Sequence, residues 1–116
     1  MAATPITVVE TETFLERAKT ILTESDRAGL VRYLASNPEA GQPIPGTGGA
    51  RKIRWALSGR GKRGGARTIY YYRNESIPLF ILDIYAKNQK ADLSEADKHS
   101  LKSLLSQIRS RYAKRS

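Results

Sequence analysis

Leu79 to Ala86 constrains this chain more than any other stretch, because Asp83 is its single charged residue and the rest is aliphatic or aromatic. A strand with that pattern has to be covered on both faces, which places it near the middle of a sheet. The residues before it supply the neighbours. Ile53, Trp55 and Leu57 alternate with Lys52, Arg54 and Ala56, the period of two that marks a half-buried strand with one greasy and one basic face. Ser58 to Gly65 is a glycine-rich basic turn, Ala66 to Arg73 a second strand rich in tyrosine, and Asn74 to Pro78 the next turn. Three strands in succession with short connections predict antiparallel hairpins.

The N-terminal third reads differently. Ile6 to Val9 is a short β-branched run, and Thr13 with Glu16 has the capping-box spacing that opens a helix over Phe14, Ala18, Ile21 and Leu22. A second helix is predicted from about Ser25 to Asn37, since Pro38 pushes its predecessor out of the helical region; Leu30, Val31 and Leu34 form its buried stripe. Glu39 to Gly49, with two prolines and several glycines, reads as a loop. A last helix starts at Ser94, with Glu95 and Asp97 at the positive end of its dipole and Leu101, Leu104, Leu105, Ile108 and Tyr112 on its apolar stripe. The order β-α-α-β-β-β-α predicts an α+β fold: an antiparallel or mixed sheet of about four strands, two N-terminal helices and a C-terminal helix, all packed on one side.

At 116 residues there is room for one domain and one core, so residues 1–116 are expected to form a single domain with a flexible tail from about residue 110. The absence of cysteine excludes a disulfide framework, a thiol nucleophile and a cysteine zinc site. With His99 as the one histidine, no Ser-His-Asp set and no metal-ligand spacing exists, and no cofactor is expected. No basic start followed by an apolar run opens the chain and no stretch approaches membrane-spanning length, which gives a cytoplasmic expectation.

The net charge of +9 is a patch: residues 1–40 carry six acids and four bases, whereas residues 41–74 carry eight bases and no acid. Such a patch repels itself, so a polyanionic partner explains it better than folding does. Gly46 to Gly49 could suggest a phosphate loop, but no Gly-Lys-Ser/Thr ending follows and a strand, not a helix, comes next, so nucleotide binding is rejected. Lys52 and Arg54, two apart on a strand, project together toward a phosphate backbone, or else form a solvated face. Arg60, Lys62 and Arg63 extend the patch on a turn that taken alone is an ordinary hairpin connection. In the tyrosine strand Arg67, Ile69, Tyr71 and Arg73 share a face opposite Tyr70 and Tyr72; at least one tyrosine face is core, but a half-buried arginine needs a partner such as phosphate. Asp83, Tyr85 and Lys87 share a face at the end of the last strand with Asn88 at its exit. Tyrosine and lysine can move protons, although Tyr85 could simply seal the sheet edge. His99 reads as solvated.

The segments GTGGARKIRWA, GKRGGARTIYYY and IPLFILDIYAKNQKADLS, within residues 46–94, together resemble the RelE/HigB-like toxins of bacterial type II toxin-antitoxin systems, and the flanking helices fit as well. The resemblance implies a RelE-like fold and a ribosome-dependent mRNA endonuclease that cuts A-site codons by attack of the RNA's own 2′-hydroxyl, without a metal. By motif position it implies Arg67 as phosphate stabiliser, Lys87 and Tyr85 in proton transfer or charge neutralisation, and Asn88 as an orienting group. Lys52, Arg54, Arg60, Lys62, Arg63 and Arg73 would hold mRNA and rRNA backbones. It further implies a cognate antitoxin, a helix-turn-helix protein of the HigA kind, bound to a toxin that is otherwise monomeric. A ParE-like gyrase inhibitor and a non-catalytic nucleic-acid-binding protein are the alternatives, since fold alone does not fix function.

Overall fold

A computed structural model of the chain describes residues 6–57, 65–86 and 92–113. The elements are β1 (Val8–Glu10), α1 (Glu12–Ile21), α2 (Glu24–Ser36), β2 (Gln42–Pro43), β3 (Ala50–Trp55), β4 (Ala66–Tyr71), β5 (Leu79–Ala86) and α3 (Glu95–Ala113). The fold is α+β around one mixed sheet in the order β1-β5-β4-β3-β2, with β1 parallel to β5 and the other neighbours antiparallel. The strand beyond the predicted four is β2, in which Gln42 faces Lys52 and Pro43 faces Arg51. Two residues have no periodicity to read, and a proline is tolerated there because the strand lies at the sheet edge.

Local chemistry explains where the helices begin. α1 is capped by Thr11 rather than Thr13: the Thr11 hydroxyl accepts from the Phe14 amide at 3.3 Å and donates to the Ile81 carbonyl at 2.8 Å. The contact with β5 selects between the two threonines, and the sequence does not contain that information. α2 opens on a capping box in which Thr23 accepts from the Asp26 amide and Asp26 accepts from the Thr23 amide. It ends at Asn37, before Pro38, as predicted. Ser94 and Asp97 make the same reciprocal pair at the start of α3, both bonds 3.0 Å long.

The helices do not share one side of the sheet. Phe14 and Ala18 of α1 and Leu30 and Leu34 of α2 pack with Tyr70, Ile81 and Ile84 in one core cluster. Leu105 of α3 packs with Ile69, Tyr71, Leu82 and Tyr85 in another. Alternate residues of β4 enter different clusters, so α3 covers the face opposite α1 and α2. The cause is the two-sided apolar character of β4 and β5, which one layer of helices would leave half exposed. Leu104 is also corrected, since it is 39% exposed while Leu101, Leu105, Ile108 and Tyr112 carry the contact. Between β4 and β5 the register shifts: Ile69 faces Asp83 and Tyr70 faces Ile81, so Leu82 is an extra residue and bulges.

Candidate nucleic-acid interface

Strand pairing assembles the site. Arg54 on β3 lies opposite Arg67 on β4, and Arg67 lies opposite Tyr85 on β5. Directly opposed residues project from the same face about 5 Å apart, so these three side chains form a row across three strands. Two positions further along, Lys52 stands opposite Ile69 on that same face. Ile69 and Tyr85 belong to the core cluster that α3 covers, so the basic groups occupy the part of this face where apolar packing gives way to solvent. Arg54 is exposed, and Arg67 and Lys52 are half-buried. Together with Ala40, Gln42 and Ile53 they line an open depression of about 340 Å³.

The depression has a rigid wall. The Tyr70 hydroxyl accepts from the Gly41 amide at 2.7 Å and donates to the Pro38 carbonyl at 2.9 Å. Arg51 donates to the Gly41 carbonyl at 2.7 Å and to the Glu39 carbonyl at 3.2 Å. Arg51 therefore serves the scaffold, although it sits in the basic segment. Gly41 is required by space: a Cβ there would stand 2.7 Å from the Tyr70 ring and 2.8 Å from the Lys52 carbonyl oxygen.

Like charges facing each other across strands repel. Arg54 and Arg67 nevertheless oppose each other, within a stretch, residues 41–74, that itself contributes no acid. Each guanidinium presents a planar fork of the kind that matches the oxygens of a phosphate. Tyr85 is 3% exposed, so its ring is first a core component. Its phenol is pushed up from its ordinary range, chiefly by burial and then by the Asp92 carboxylate, while Arg67 works in the opposite direction. The phenol is therefore protonated at neutral pH and gives up its proton less readily than a free tyrosine.

Other sequence-predicted residues are distributed less tightly. Asp83 does not face an open site, since its carboxylate pairs with Arg17 of α1 at 3.2 Å. Arg73 lies beyond the far end of β4, six residues or roughly 20 Å of extended chain from Arg67, and is not part of the row. Lys87, Asn88, Arg60, Lys62 and Arg63 fall outside the described residues. His99 is exposed on α3. Among the described residues no group of His, Cys, Asp or Glu side chains is placed to hold a metal ion, and no helix is long and apolar enough to cross a membrane.

The family model for the RelE toxin of the RelE/RelB toxin-antitoxin system matches residues 45–115, which is 71 of the 116 residues and takes in β3, β4, β5 and α3. The chain belongs to the RelE toxin family. The fold agrees: the free-state structure of an arginine-to-alanine double mutant of the E. coli toxin RelE superimposes with a TM-score of 0.53 and 17% identity, covering 76% of this chain and 90% of that one. In this RelE-family protein the matched stretch contains the whole Arg54–Arg67–Tyr85 row. Sequence reasoning missed Gln42, whose strand is too short to show, and Asp92, which sits 3.6 Å from Lys52. Asp92 lies 40 residues from Lys52 in the sequence, so only the fold reveals which base it meets.

Proposed function

We propose that this RelE-family toxin is a metal-independent endoribonuclease that cuts mRNA in the ribosomal A site and so stops translation. The directly opposed arginines of β3 and β4 are the observation that carries the reading. In the proposed reaction the ribose 2′-hydroxyl gives up its proton to solvent as its oxygen forms a bond to the adjacent phosphorus, and the bond from phosphorus to the 5′-oxygen breaks with that oxygen taking a proton, leaving a 2′,3′-cyclic phosphate and a 5′-hydroxyl. The RNA supplies its own nucleophile, so the absence of cysteine and of a serine triad is no obstacle. The protein has to align the phosphate and neutralise the charge that builds on its oxygens.

Arg67, rigidly set in the middle strand, is the group we assign to the phosphorane oxygens, with Arg54 and Lys52 holding flanking phosphates. Tyr85 and Lys87 are the candidates for protonating the departing 5′-oxygen, and Asn88 for orienting the nucleotide. Arg60, Lys62, Arg63 and Arg73 add backbone contacts away from the reacting link. A cognate antitoxin follows from family membership; we propose a helix-turn-helix protein of the HigA kind that covers the basic face. The site of action is the cytoplasm, where the ribosomes are.

The test is a reconstituted translation reaction with the purified chain, read by mapping transcript 5′ ends. Cuts phased to codons are expected with translating ribosomes, and Arg67→Ala is expected to lower the cleavage rate by about 10²–10³. Intact transcripts with the unaltered chain overturn the reading, and DNA breaks without mRNA cuts point to gyrase inhibition instead. Full activity of Arg67→Ala removes the role given to that residue.

A further inference from the structure

The basic face is not simply open to anions. Residues 41–74 contribute no acid, yet a carboxylate reaches this face from elsewhere in the chain: Asp92 Oδ1 lies 3.6 Å from Lys52 Nζ. Lys52 is a wall of the depression that also contains Arg54 and Arg67. Asp92 acts on the neighbouring row as well, since its charge is the largest charge influence on Tyr85.

Asp92 is held in this position from behind. Its Oδ1 accepts from the Leu93 amide at 2.8 Å, and Leu93 is buried beside Tyr85 and Leu105 in the cluster under α3. The Leu93 amide and Lys52 keep the carboxyl below its usual range, so it is an anion at neutral pH. The pair itself is exchangeable, because the two side chains are 37% and 63% exposed and ion pairs so placed are weak. An anion oriented by the Leu93 amide and weakly bound to a phosphate-seeking lysine has the properties of a resident competitor.

We propose that Asp92 is a specificity-determining residue that occupies the Lys52 phosphate seat in the free protein and makes unanchored RNA a poor ligand. This rests on the RNA-contacting reading of the basic face. Free single-stranded RNA has to displace the carboxylate with a phosphate from solution. An mRNA held in the decoding site presents its phosphates at high effective concentration, where a weak internal competitor is easily displaced. Asp92 thus favours ribosome-presented over free RNA without touching the reacting atoms.

The experiment measures binding of a short unstructured RNA oligonucleotide, without ribosomes, at low salt by fluorescence anisotropy. Asp92→Asn keeps the oxygen that accepts from Leu93 and removes only the charge. It is expected to bind about two- to fivefold more tightly than the unaltered chain. In a Lys52→Gln background the same substitution is expected to change affinity by less than about half that factor, because the seat it vacates is gone. Glu95→Gln, which removes an equal charge from an acid paired with Lys98 instead, is the control for net charge and is expected to give a smaller gain. Thermal melts establish that each variant is folded. RNA binding with no gain for Asp92→Asn, an equal gain in the Lys52→Gln background, or a gain matched by Glu95→Gln overturns the proposal alone. No RNA binding by any of the chains overturns the proposal, while the RNA-contacting reading is decided separately by the reconstituted translation reaction.

Discussion

Removing the Tyr70 hydroxyl isolates one atom on which the wall of the site depends. That oxygen accepts from the buried Gly41 amide and donates to the Pro38 carbonyl, joining the middle strand to the connection between α2 and β2. Tyr70→Phe preserves the ring, which is 0% exposed and packed with Phe14, Leu30 and Leu34, so no cavity opens. The cost is two groups without partners. A buried donor left unsatisfied costs about 1–3 kcal/mol, while the Pro38 carbonyl, only half-buried, recovers part of its loss from water. A total of about 2–3 kcal/mol follows, or a fall in Tm of roughly 8–12 °C for a domain of this size. Urea titration should show a lower midpoint with an unchanged slope, since the exposed surface is the same in both proteins.

The alkaline limb provides a second readout. Burial raises the Tyr70 phenol above its ordinary value of 10.0, the Gly41 amide opposing it, so folding favours the protonated form. The stability from this group is therefore complete below pH 10, is lost as pH rises from there through the higher folded value, and that component is missing in Tyr70→Phe. A destabilisation under about 0.5 kcal/mol, within the range of an innocuous surface change, would refute the assignment of this hydroxyl as the tie holding the wall.

Two further substitutions probe the scaffold. Thr68 is fully buried in β4 and its hydroxyl has no hydrogen-bond partner among the described residues, so Thr68→Val is expected to leave stability unchanged or raise it by about 1 kcal/mol in a urea titration. Gly65 has a φ of +56°, and a Cβ there would stand 2.6 Å from the Trp55 carbonyl oxygen, so Gly65→Ala combines backbone strain with a backbone clash and is expected to cost more than about 2 kcal/mol. A smaller loss at Gly65, or a clear loss at Thr68, contradicts the packing described for the β3–β4 pair.

Wherever a signal is local, the sequence by itself determined this protein. The alternation from Lys52 to Leu57, the apolar run from Leu79 to Ala86, Pro38 after Asn37 and Ser94 with Asp97 all act within a few residues. They produced β3, β5, the end of α2 and the start of α3 where expected. The basic character of the sheet was equally legible, because charge survives any arrangement of the chain. Register and layering were not. Whether Arg54 meets Arg67, and whether α3 lies over Tyr71 or over Tyr70, depends on which strands pair and how far they slide, and β4 is apolar enough on both faces to accept a helix on either. Tertiary structure decided that Thr11 rather than Thr13 caps α1, that Arg51 holds carbonyls while Lys52 faces the site, and that Asp92 reaches across 40 residues of sequence to meet it. Hydrophobic periodicity says which face a residue occupies; the neighbour it finds there is set by the energy of the whole sheet and the helices that cover it.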